Sequence, residues 1–481
     1  MLFNSFTFIL FFLPVVLAGS FVLARRYGAT VCVFWALACS LFFYAWWNPR
    51  FMLLLIPSIL FNYLMGIAID RAAGRTRLIV LWASILANLT LLGYFKYANF
   101  LVDVANSTGL VSVELARVAL PLGISFFTLQ QIAFLVDTWK GDGNENHLPR
   151  YALFVCFYPH LIAGPIVHHK GILPQFRKAE SFRYEPERVA RGLTWFALGL
   201  FKKIIIADQC SLYVTPVFDA VAQGAHPGMA SAWMGALAYT FQLYFDFSAY
   251  SDMAIGLALL LGINLPVNFL SPYKSGSIIE FWRRWHMTLS GYLRDYVYIP
   301  LGGNRKGPAR RLVNLLLTML IGGIWHGAGW TFALWGALHG VYLLINHAWR
   351  MLLEKLGVAD WNRHGLYRAL AWMTTFAAVV LGWVVFRAPS VHDALVIGRS
   401  LVGLGPGSGQ LSGAQGNEFT FGVLGVVAAV AFFAPNSQEL MNGESRLSWR
   451  PQWAWAWVTA AMFMVSLFSL HKPSEFLYFR F

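Results

Sequence analysis

Charge is scarce in this chain. Of its 481 residues only 12% are Asp, Glu, Lys or Arg, about half the share of a soluble globular domain, and 58% are hydrophobic. A water-soluble enzyme is therefore excluded, and no soluble basic domain remains to bind nucleic acid. Cysteine is scarcer still. Cys32, Cys39, Cys156 and Cys210 stand alone, with no CxxC pair and no ligand spacing, so they read as small buried hydrophobes and no metal site is expected. No internal repeat is visible, which argues against a transporter or flippase built from paired halves. A positive n-region is also missing from the N-terminus. Arg25 and Arg26 follow the first apolar run instead of preceding it, so that run reads as a retained span with its start outside the cytoplasm.

What is present is a succession of long apolar runs, the mark of an all-α polytopic membrane protein in which each span satisfies its own backbone. About ten to thirteen crossings are expected, within one membrane-embedded domain covering 1–481. The 20 Trp and 19 Tyr suit interfacial aromatic belts. The first span precedes Arg25 and Arg26 and the next three fall near 29–47, 51–69 and 78–95, with the basic stretch Asp70–Arg77 on the cytoplasmic side and a turn expected at 96–100. Residues 101–119 read as amphipathic or re-entrant, and 151–167, with two prolines and a glycine, as a broken or re-entrant helix carrying His160 as a packing residue. A later span is expected to end at Phe201-Lys202-Lys203. Asp246, Ser248, Tyr250, Ser251 and Asp252 read as a polar break between two apolar helices, serving either as functional intramembrane carboxylates or as helix caps.

The net charge of +14 is concentrated. Sixteen of the 36 Lys and Arg lie within 168–203 and 270–311, both placed in the cytoplasm by the positive-inside rule. The second segment also interleaves aromatics with cations, in FWRRWH (281–286) and YLRDYVY (292–298), and carries the flexible loop Gly302-Gly303-Asn304-Arg305-Lys306-Gly307. Arginine forks and aromatic faces suit either a nucleotide-bearing acyl donor or anionic lipid headgroups.

His326 ends the apolar run that starts at Leu312, so its imidazole is expected inside the membrane or a cavity. A desolvated neutral imidazole there is a competent general base; the alternative is a structural histidine bonded to a carbonyl. His286, beside Arg283 and Arg284, is either a partner of His326 or a phosphate-facing donor, and His339 reads as structural.

These stretches, together with YFKYANF (94–100), PLGISFFTLQQIAFLVD (121–137), FYPHLIAGPI (157–166), LYFDFSAYSDMAIGLALLLGI (243–263), EFWRRWHMTLSGYLRDYVYIPLGGNRKG (280–307), LLLTMLIGGIWHGAGW (315–330), WGALHG (335–340) and GWVVFRA (382–388), resemble the membrane-bound O-acyltransferases, and within them the bacterial alginate O-acetylation branch. The resemblance implies a many-helix fold with a central funnel in the bacterial inner membrane. It implies His326 as the catalytic histidine and His286 at a second polar position. No bound cofactor is implied; acetyl-CoA is the expected donor substrate, held by Trp282, Arg283, Arg284, Arg294, Asp295, Asn304, Arg305, Lys306 and Trp325. The acetyl group would pass to a periplasmic SGNH-type acetyltransferase, working with polysaccharide export machinery on an exported polysaccharide such as alginate. Peptidoglycan, cellulose, a lipid or teichoic acid are alternative acceptors, the last with an acyl-carrier protein as donor. Membrane lipids complete the expected partners.

Overall fold

The computed structural model describes Met1–Leu477, apart from residues 111, 144, 179, 406–417, 444, 446, 471–473 and 475 and the side chains of 359, 362 and 418–420. Every regular element among the described residues is helical. In chain order the α-helices are α1 (Leu13–Tyr27), α2 (Ala29–Ala45), α3 (Met52–Arg71), α4 (Gly74–Ser107), α5 (Ile124–Lys140), α6 (Leu148–Cys156), α7 (His169–Arg177), α8 (Pro186–Phe201), α9 (Asp208–Ala222) and α10 (Met229–Leu260). They continue as α11 (Ile278–Arg284), α12 (Met287–Leu293), α13 (Pro308–His326), α14 (Trp330–Lys355), α15 (Gly365–Arg387), α16 (Val391–Leu401), α17 (Glu418–Phe433), α18 (Ser437–Met441) and α19 (Trp453–Phe468). Short π or 3-10 turns lie between several of them, and most of the glycine-rich stretch 401–419 falls outside the described residues.

Five helical runs are long and apolar enough to cross a bilayer: Thr7–Tyr27, Pro49–Arg71, Gly74–Ser107, Pro186–Ala222 and Gly365–Arg387. Three shorter apolar helices accompany them, at Ala29–Ala45, Phe421–Phe433 and Trp453–Phe468. Their outer faces are apolar and bare: Leu53 is 81% exposed, Phe433 83% and Trp453 83%. A soluble surface does not carry so many such residues, whereas lipid accepts them. All four cysteines are buried, as their apolar settings suggest.

Three sequence expectations are corrected here. The stretch 96–100 is not a turn, because α4 runs on through it to Ser107, and residues 112–121 beyond it are not helical. Asp246–Asp252 is no break and caps nothing: α10 passes straight through, with Asp246 and Asp252 buried. Nor does the chain leave the helix at Phe201-Lys202-Lys203; a π turn, Lys202–Ala207, links α8 to α9. These last two surprises share a cause. Lys203 Nζ lies 2.7 Å from Asp246 Oδ1 and 2.8 Å from Asp208 Oδ1, so charges that look like exit signals in a hydropathy window neutralise one another. The π turn brings Asp208 into reach. Residues five apart lie on different faces of an α-helix, whereas the i→i+5 bond of Asp208 N–H to Lys203 O stacks them.

Compactness divides the chain into two units. The first comprises Met1–Leu200, Ala249–Pro266 and Trp449–Arg480, the second Phe201–Ser248 and Val267–Ser448. In the first, buried amides join neighbouring helices. Asn62 on α3 and Asn88 on α4 each donate to the other, at 3.1 and 2.7 Å, and Gln131 on α5 donates to Ser58 at 3.0 Å. Polar links of this kind hold helices together where apolar surface alone gives no preference over lipid. The expected broken segment is real: α6 ends at Cys156, and turns carry the chain to α7. Within them His160 is fully buried and its Nδ1 accepts from Gln130 Nε2 at 3.1 Å, a packing role.

The second unit is built on the α13–α14 hairpin. Its helices meet along a glycine seam. A Cβ on Gly336 would stand 2.5 Å from Met319 O and 3.0 Å from Gly323 Cα, and one on Gly340 would stand 2.7 Å from Leu316 Cδ1. Only glycine permits that approach. The seam matters because α13 ends at His326.

Candidate functional site

Each histidine of the candidate pair is fixed by its local fold. Helix α13 stops at His326 because Gly327 turns extended; a Cβ there would lie 2.6 Å from Phe332 Cζ, so the tight turn into α14 requires glycine. His326 is 6% exposed. Aromatic rings close around it at centroid distances of 5.0 Å (Trp325), 5.1 Å (Trp335) and 5.4 Å (Phe386). Trp335 in turn stacks on Trp383 at 5.8 Å.

His286 occupies a left-handed backbone conformation (φ 42°), a region non-glycine residues rarely adopt. Two backbone bonds hold it there: Leu270 N–H to Arg284 O and Met287 N–H to Asn268 O, both 3.0 Å. The side chain of Asn268 finishes the clamp. Its Oδ1 accepts from Thr288 N–H at 3.3 Å, from Thr288 Oγ1–H at 3.0 Å and from His286 Nδ1 at 3.1 Å. The backbone donor fixes which way the amide points, so His286 carries its proton on Nδ1 and a lone pair on Nε2. That Nε2 is buried and has no hydrogen-bond partner among the described residues. Burial pushes the His286 imidazole down to about 3, so it stays neutral at physiological pH. Phe247 packs edge-on against the ring at 4.8 Å.

The two imidazoles are neighbours, with ring centroids 6.4 Å apart and planes tilted by 57°. His339 lies outside the pair. Fully buried, it packs with Trp335 at 4.8 Å and Trp282 at 5.3 Å, in keeping with a structural role.

The other residues singled out from the sequence fall in three places. Trp325 and Trp282 belong to the aromatic layer around the histidines. Arg283 is exposed, and Arg284 pairs with Glu280 at 2.8 Å along α11. Arg294 forks onto the adjacent Asp295 at 2.7 and 2.9 Å, while Asn304, Arg305 and Lys306 are exposed in the turns before α13. That loop is tied to α13 by Asn314 Nδ2–H donating to Gly303 O at 2.9 Å. Asn314 stands twelve residues before His326, about 18 Å along the helix axis, so the loop is remote from the imidazoles. Sequence reasoning missed Asn268, and it reached Trp335 and Phe386 only as members of WGALHG and GWVVFRA, with nothing in their spacing to tie them to the histidines; only the fold does.

The family model described as MBOAT, membrane-bound O-acyltransferase family, matches residues 81–381, which contain both histidines and their aromatic surround up to Leu381. The chain is 38% identical over 530 aligned positions to a peptidoglycan O-acetyltransferase of Helicobacter pylori, covering all of this chain and 98% of that one. It is 44% identical over 401 positions to the probable alginate O-acetylase AlgI of Pseudomonas aeruginosa, covering 82% of this chain and 73% of that one. A teichoic acid D-alanyltransferase of Streptococcus thermophilus is 29% identical over 280 positions, 55% of this chain and 68% of its own. With a family model spanning most of its helices and a relative aligned from end to end, this chain belongs to the membrane-bound O-acyltransferase family and is an O-acyltransferase.

Proposed function

We propose that the chain takes the acetyl group from cytoplasmic acetyl-CoA and delivers it, across a bacterial inner membrane, for O-acetylation of an exported polysaccharide, with His326 as the general base. The pair of buried imidazoles, with ring centroids 6.4 Å apart, is the observation that carries this reading. An acceptor hydroxyl placed between them donates its proton to His326. Its oxygen attacks the thioester carbonyl, and collapse of the tetrahedral intermediate breaks the C–S bond as His326 returns the proton to the departing thiolate. His286, held neutral with its proton on Nδ1 by Asn268, lines the site beside His326. Aromatic walls keep water from competing as acceptor. A periplasmic SGNH-type acetyltransferase is the proposed receiver of the acetyl group.

The relatives support two acceptors. Alginate-type polysaccharide follows from those named alginate O-acetylases, at up to 44% identity. Peptidoglycan is favoured by the match that runs the full length of both chains. Transfer from radiolabelled acetyl-CoA tests the proposal, with wild-type and His326→Ala protein compared in the presence and absence of a periplasmic acetyltransferase and of each glycan. Release of CoA and movement of label that both need His326 is the expected result. Full activity in His326→Ala, or no cleavage of acetyl-CoA by wild type, would overturn it.

A further inference from the structure

In the first unit an apolar groove of about 960 Å³ opens between α1, α8 and α19. Leu13 and Leu17 line it from α1 and Phe463 from α19, while Ala190, Ala197 and Ala460 leave the space that larger side chains would fill. The hydroxyls within it are already engaged. Thr194 Oγ1–H donates to Ala190 O at 2.9 Å, so its oxygen accepts from Thr459 Oγ1–H at 2.9 Å and from Trp449 Nε1–H at 3.2 Å. A hydroxyl has one donor and two lone pairs, so Thr194 is saturated and offers a ligand nothing. The depth of the groove therefore suits hydrocarbon and disfavours any polar ligand.

Charge enters the lining at two residues. Glu187, in the first turn of α8, and Arg450, just before α19, are both exposed at the mouth. Neither has an ion-pair partner within 4.0 Å among the described residues, and they do not pair with each other. A carboxylate and a guanidinium held apart at one opening fit a zwitterion, with a phosphate for Arg450 and an ammonium for Glu187. Position agrees with chemistry. Helix α8 starts among Arg183, Arg188 and Arg191, which puts the mouth at the cytoplasmic leaflet by the positive-inside rule. Trp449, Trp453 and Trp455, all in the lining, are the aromatic anchors expected at that depth.

We propose that this groove binds one phosphatidylethanolamine of the cytoplasmic leaflet, with its phosphate on Arg450, its ammonium on Glu187 and an acyl chain along the alanines of α8 and α19. A lipid seated there fills the seam that α1, α8 and α19 leave open. It differs from the lipid against the bare outer faces of the helices in being selected by its headgroup.

The test uses the full chain, purified in detergent and stripped of native lipid. It is offered equal amounts of phosphatidylethanolamine, phosphatidylcholine and phosphatidylglycerol with matched acyl chains, and retained lipid is read by native mass spectrometry. Wild type retains phosphatidylethanolamine about tenfold over phosphatidylglycerol, in line with one charge-assisted contact, and phosphatidylcholine, whose ammonium has no N–H, falls between. Glu187→Gln brings the first ratio to within about twofold of one, whereas Arg450→Gln lowers retention of all three lipids about tenfold. Both residues are exposed, so neither change disturbs the fold. Ala460→Trp, which fills the groove, also lowers all three. Equal retention of the three lipids by wild type would mean bulk lipid only, and a preference for phosphatidylglycerol would mean an anionic-lipid site; either overturns the proposal. So does a preference for phosphatidylethanolamine that survives Glu187→Gln or Ala460→Trp, since the lipid then sits elsewhere.

Discussion

Replacing Gly336 by alanine is the smallest change that reaches the chemistry from outside the site. The added Cβ would sit 2.5 Å from Met319 O, against about 3.4 Å for ordinary contact, so α13 and α14 must separate by roughly 1 Å. No flexible side chain can absorb the shift, since the atoms it meets belong to the Met319, Leu320 and Gly323 backbone. The overpacking costs about 1–3 kcal/mol of stability, a modest loss for a fold of this size. The displacement is passed to His326, which is rigidly attached as the last residue of α13. A misplacement of about 1 Å lowers catalysis on the order of 100-fold. Initial rates of thioester cleavage, together with thermal unfolding followed by tryptophan fluorescence, separate the two effects: kcat falls while the melting temperature drops only a few degrees. Gly425→Ala is the control, because a Cβ there meets nothing within 4 Å. Wild-type kcat in Gly336→Ala would refute the claim that the seam sets the position of His326.

Three further outcomes follow from the same geometry. Asn268→Leu strands the donors of His286 and Thr288 and lets the ring turn, lowering kcat about tenfold or more, while Asn268→Asp, which keeps the acceptor oxygen, restores part of it; equal losses in both variants would remove Asn268 as a positioning residue. Because burial holds His286 near 3 in the folded chain, against 6.5 when exposed, its contribution is fully present above pH 6.5 and is lost as pH falls toward 3. Acidification from pH 7 to 5 therefore costs the wild type about 2 kcal/mol that His286→Asn does not lose, visible as a smaller acid shift in the variant's melting temperature. Lys203→Met leaves Asp246 buried without its cation and destabilises the protein by about 3–5 kcal/mol, whereas Lys203→Met combined with Asp246→Leu recovers much of that in thermal unfolding.

Much of this molecule is legible along the chain, and the failures have a common origin. Apolar runs locate α1 to α3 closely and α4 at its start, because a span must carry its own hydrophobicity wherever it packs. His326 stands out for the same reason, a titratable ring at the end of such a run. What cannot be read locally is pairing at a distance. Lys203 looks like the end of a span until Asp246, on another helix, is seen beside it. Arg350 and Arg368 look like ordinary positive-inside residues, and only the fold sets them around one cavity with Arg284. Asn268 carries no signal at all; its importance lies in three donors that converge from later in the chain.

The π turn at Lys202–Ala207 has an implication for insertions and deletions in this protein. A π turn is an α turn with one residue too many, and here it sets Lys203 and Asp208, five residues apart, on one face, as a spacing of four would in an α-helix. Removing any one of Ile204, Ile205 or Ile206 would leave an unbroken apolar helix, better in intrinsic geometry than the natural one. It would leave that aspartate four residues after Lys203, on the same face of an α-helix, so the ion pair would still form. A one-residue deletion at this point is therefore expected to be tolerated, whereas one further inserted residue would turn Asp208 about 100° away from Lys203.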